Sequence, residues 1–95
     1  MKQEPQSDRR VEPRRPKSGT AYLRIAGPLN EGFDATLLDI SKSGFRVRHS
    51  YLGIGSGDLV EFTLGGRQGT AQAMWTSILG GLAETGFRIT PQLKL

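Results

Sequence analysis

Ninety-five residues, 36% hydrophobic and 23% charged, suit one small globular domain and exclude a wholly disordered chain. The chain has no cysteine and a single histidine, His49, which excludes disulfides, thiolate metal sites and a histidine metal cluster. A net charge of +4 favours an anionic partner such as a nucleotide, a nucleic acid or an acidic protein.

Residues 1–18 are expected to form a flexible basic tail. They carry Lys2, Arg9, Arg10, Arg14, Arg15 and Lys17 against Glu4, Asp8 and Glu12, and their only apolar side chains are Met1 and Val11. With Pro5, Pro13 and Pro16 among them, they bury too little area to offset the entropy of ordering. A tail of this kind is suited to closing over a ligand. The first six residues lack the apolar core of a signal peptide. No run reaches the roughly 20 apolar residues of a membrane span, so a cytoplasmic location is expected.

From Gly19 the pattern changes to short strands punctuated by Gly and Pro. Strands are expected over 20–26, 33–40, 44–50, 58–64, 67–78 and 82–90, with a turn at 27–32 and hairpin turns at Gly65-Gly66 and Gly80-Gly81. No helix is expected, and Pro91 ends the last strand. The domain then spans 19–91, with a short C-terminal tail at 92–95. Six short strands suggest an all-β fold, a six-stranded antiparallel barrel, because closure removes exposed edges. Alternation assigns Leu23, Ile25, Leu38, Ile40, Phe45, Val47, Val60, Phe62, Ala73, Trp75, Phe87 and Ile89 to the core, with the register around Leu37 and Leu38 left open.

Several features resemble chemistry without supporting it. Gly53, Gly55 and Gly57 feed a strand pattern, whereas a phosphate cradle feeds a helix. His49 has no nucleophile or acid pattern around it and reads as a polar surface position. Asp58 and Glu61 read as solvated. Trp75 could stack a base but reads as core. No catalytic set emerges, so a binding protein is expected, without cofactor or metal.

Two motifs do stand out. Asp39-Ile40-Ser41-Lys42-Ser43-Gly44 has the form Asp-x-Ser-x-x-Gly between two strand patterns. Asp and Ser can bond turn N–H groups, and Gly allows a left-handed conformation or a close approach. Upstream, Arg10-Val11-Glu12-Pro13-Arg14 has the form Arg-x-x-x-Arg.

The two motifs in this order resemble the PilZ domain, a bacterial module that binds cyclic di-GMP. Ala71-Gln72-Ala73-Met74-Trp75 followed by Gly86-Phe87-Arg88-Ile89 is similar to the family's closing hairpin, and the resemblance covers roughly residues 8–90. It implies a PilZ-like split barrel with little or no C-terminal helix. It implies a cyclic di-GMP site at Arg10, Arg14, Asp39, Ser41 and Gly44. Arg9, directly before the Arg motif, adds a charge and a plane for stacking, so an intercalated ligand dimer is expected. The resemblance also implies a downstream protein partner, with outputs in motility, biofilm or polysaccharide secretion. The chemistry suits the ligand: Arg can bond guanine O6 and N7, stack on a base or pair with phosphate, and a carboxylate can accept from guanine N–H groups. Two alternatives stay open, a small barrel binding nucleic acid through its basic tail and a PilZ-like adaptor without ligand.

Overall fold

The computed structural model describes residues 15–16, 19–26 and 31–91. Its strands are β1 (Arg15–Pro16), β2 (Thr20–Ile25), β3 (Gly32–Ile40), β4 (Gly44–His49), β5 (Leu59–Leu64), β6 (Arg67–Leu79) and β7 (Leu82–Ile89). All pairings are antiparallel, in the order β3-β2-β5-β6-β7-β4, and β4 pairs back onto β3. The six strands β2 to β7 therefore close into a barrel, as expected. Among the described residues there is no helix, and so none long and apolar enough to cross a membrane. Residues 27–30 of the expected turn over 27–32, the tail over 92–95 and residues 1–14 and 17–18 lie outside the described residues.

Strand alternation points one face of each strand into the barrel. Ala21, Leu23, Val60, Phe62 and Leu64 face inward from β2 and β5, with Phe45, Val47 and Phe87 from β4 and β7. Phe45 is the centre of this core. Its ring stacks on Phe87 at 5.2 Å and meets Phe62 edge-on at 5.1 Å. Ala71 and Ala73 on β6 leave room for those rings. Gly65 and Gly80 adopt φ of 58° and 66° at the hairpin turns, where a side chain would be strained. The Gly53–Gly57 segment is a plain loop into β5, in which the Gly55 N–H donates to Asp58 Oδ2 at 2.9 Å.

Two expected core residues are not in the core. Leu38 is only half-buried, and Trp75 is 43% exposed. Both misplacements have one cause, a β-bulge. Leu37 pairs with Val47 but Asp39 pairs with Arg46, so Leu38 is an extra residue in β3. Ala73 pairs with Phe87 but Trp75 pairs with Gly86, so Met74 is an extra residue in β6. Each extra residue inverts the alternation beyond it. Leu37 takes the inward position, while Asp39 and Trp75 turn to the outer face.

His49, expected at the surface, is also inside, at 4% exposure. It closes one mouth of the barrel beside Phe33, whose ring lies 5.2 Å away. The Tyr51 N–H donates to its Nδ1 at 3.2 Å. The proton of the neutral ring therefore sits on Nε2 and faces Thr85 Oγ1 at 2.8 Å. Burial lowers its pKa below the ordinary 6.5. A lowered folded-state pKa means that the unfolded chain binds the proton more tightly. Stability is then complete above pH 6.5 and declines as pH falls below it. The urea midpoint is expected to hold between pH 8 and 7 and to drop below pH 6.5, with the drop reduced in His49→Gln.

Candidate functional site

The two bulges converge on one row of the outer face. In register across four neighbouring strands lie Asp39 on β3, Arg46 on β4, Gly86 on β7 and Trp75 on β6. At about 4.8 Å per strand, the row is roughly 14 Å long. A buried carboxylate, a half-exposed guanidinium, a glycine and a half-exposed indole thus follow one another on the outer face.

Each member is fixed by a neighbour. Arg46 Nη2 bonds Asp39 Oδ2 at 2.8 Å, and its Nη1 lies 3.8 Å from Glu84 Oε1. Glu84 Oε2 in turn accepts from Arg48 Nη2 at 2.9 Å. The buried Nε of Arg46 has no acceptor among the described residues. Gly86 has no side chain because the indole of Trp75 lies across it, and a Cβ there would run into Nε1 and Cε2 of the ring. Lys42 at the tip of the β3–β4 turn and Arg88, in register with Gly44, are exposed nearby. This face carries Lys42, Arg46, Arg48 and Arg88 against Asp39 and Glu84, so it is net positive.

The Asp-x-Ser-x-x-Gly stretch forms the β3–β4 turn, and its shape is set by internal bonds. Ser41 donates to the Gly44 carbonyl from its backbone N–H at 2.8 Å and from its hydroxyl at 3.3 Å. The Ser43 carbonyl accepts from the Ile89 N–H at 2.8 Å, tying the turn to β7. Gly44 is buried against the Phe87 carbonyl oxygen, where a Cβ would collide. The close approach that requires this glycine is therefore made by β7. Gly44→Ala is expected to cost about 1–3 kcal/mol, the range for forcing extra atoms into packed structure. A thermal melt of the variant checks this.

Of the sequence-derived site residues, the structure brings together Asp39, Ser41 and Gly44. Arg9, Arg10 and Arg14 lie outside the described residues. The strand β1 begins at the next residue, where Arg15 pairs with Ile40 and Pro16 with Asp39. The sequence reasoning missed Arg46, Gly86 and Trp75. Arg46 was legible as the outward residue after the turn. Trp75 and Gly86 depend on a bulge that alternation alone does not announce. No protein-family model matches the chain, and no curated protein gives a significant match to it.

Proposed function

We propose that this chain is a receptor for cyclic di-GMP, a PilZ-like binding module with no chemistry of its own. The observation that carries the proposal is the pairing of Arg15 and Pro16 with Ile40 and Asp39. Arg14 is joined to Arg15, and consecutive Cα atoms are about 3.8 Å apart. The C-terminal end of the Arg-x-x-x-Arg motif is thereby joined to a strand at the edge of the Asp-x-Ser-x-x-Gly turn, although 24 residues lie between Arg14 and Asp39 in sequence.

The residue chemistry supports the same ligand. Arg10 and Arg14 pair with phosphate or bond the O6 and N7 edge of guanine. The Asp39 carboxylate is suited to accept from guanine N1–H and N2–H₂. Arg46 holds that carboxylate in place. Ser41 and Gly44 keep the turn in one shape. Arg9 adds a guanidinium plane for the second ligand of an intercalated pair. Trp75 offers an aromatic surface at the far end of the row, and stacking one base contributes about 1–3 kcal/mol. Ordering of the Arg segment on binding would present an altered surface to a downstream protein.

Trp75 is the only tryptophan, so its emission reports on the site. Cyclic di-GMP is expected to quench it in a saturable way, with GTP giving no comparable change. Trp75→Ala is expected to weaken binding about five- to a hundredfold, the equivalent of one stacked base. An emission spectrum that stays constant while calorimetry shows the ligand bound would remove Trp75 from the site.

A further inference from the structure

Beyond the proposed ligand site, we infer that the outer half of β6 is a self-association edge, through which two copies of the chain pair strand to strand. The strand is long: residues 67–72 pair with β5, but residues 75–79 pair only with β7. Loop contacts from Gly57 and Ser56 cover its other edge as far as Ala73 and Met74. From Thr76 to Leu79 no strand covers that edge among the described residues.

The exposed edge lacks the devices that normally protect one, which are charges, prolines or short length. Residues 68–83 contain no Lys, Arg, Asp or Glu, the longest uncharged run in the chain. The tip they form is apolar: Leu79 is 85% exposed, Ile78 52%, Leu82 50% and Trp75 43%. A chain of net charge +4 repels its copies over most of its surface, and this strip is where they can meet without like charges.

The backbone is self-complementary here. Leu79 and Leu82 flank a two-residue turn, so they exchange the first pair of hairpin bonds. Bonded and non-bonded positions then alternate, and the N–H and C=O groups of Thr76 and Ile78 point to the open edge. An antiparallel pair with its two-fold axis at Ser77 sets Thr76 of each copy against Ile78 of the other and closes four backbone bonds. On the outer face it sets Leu79 of each copy against Trp75 of the other. The exposed apolar side chains supply on the order of 400–500 Å² per copy, the size of a functional patch. Edge pairing covers part of this patch on each copy, less than a stable interface needs. The association is therefore concentration-dependent.

Ser77 lies on the axis as a non-bonded pair, with Cα atoms about 4.5 Å apart. That is within disulfide range. In a chain free of cysteine, Ser77→Cys is expected to give a disulfide-linked dimer under air oxidation at least tenfold faster than Gly66→Cys, on the opposite hairpin. Analytical ultracentrifugation of the unaltered chain is expected to show its mass rising toward two chains with concentration. Ser77→Lys, with unchanged circular dichroism, is expected to stay at one chain. A single-chain mass for the unaltered protein up to millimolar concentration would overturn the proposal. So would equal cross-linking rates in the two cysteine variants.

Discussion

Arg14→Ala and Asp39→Ala are each expected to weaken cyclic di-GMP binding by well over tenfold while the barrel stays folded. Arg10→Ala should act in the same way. A charge-assisted hydrogen bond contributes about 1.5–3 kcal/mol, and about 1.4 kcal/mol is tenfold in affinity. Asp39 makes a stringent test because its carboxylate also has a structural partner. Arg46 holds it at 2.8 Å, but Arg46 is 41% exposed and has Glu84 3.8 Å away on its other side. Asp39 itself is only 8% exposed, so Asp39→Ala also lowers stability, while Arg46 keeps solvent and a second acid as neighbours. Calorimetric titration read beside a thermal melt separates the two effects. Loss of binding in a variant that still melts cooperatively is the expected result.

Phe45→Ala should cost the barrel about 3–5 kcal/mol, the range for a buried aromatic removed from a core. Phe45 is fully buried and contacts the rings of both Phe62 and Phe87, so three aromatic groups lose packing at once. Domains of this size have about 5–15 kcal/mol in total, so the variant stands close to unfolding. Leu79→Ala is the natural comparison. Leu79 is 85% exposed, and its loss should hardly move the midpoint. Urea unfolding at low protein concentration checks both. The Phe45→Ala midpoint is expected to fall with an unchanged slope, because the same surface is exposed on unfolding.

The six strands and the hairpin turns at Gly65 and Gly80 were legible because their alternation and glycine punctuation survive in the sequence. Phe45, Val47, Val60 and Phe62 sit where period two puts them. Bulges are what period two conceals. Leu37-Leu38 carried a trace of one, two apolar residues in succession where a half-buried strand should alternate. Met74-Trp75 carried the same trace, yet a tryptophan in a small barrel reads most simply as core. His49 was misread because a histidine at an inward position buries well when both ring nitrogens find partners, here Tyr51 and Thr85. Those partners come from the following loop and from β7, beyond the reach of local pattern. The candidate site was legible as a turn motif. Its extension to Arg46, Gly86 and Trp75 required the register of four strands.

The central claim is that the face carrying Asp39 and the adjoining Arg segment select cyclic di-GMP. The most direct measurement is isothermal calorimetry of the full chain with cyclic di-GMP, with GTP and with a short DNA at two salt concentrations. Saturable binding of cyclic di-GMP that far exceeds both competitors, at two ligands per chain, is the predicted result. Comparable binding of all three, falling steeply with salt, would contradict it and point to phosphate attraction alone.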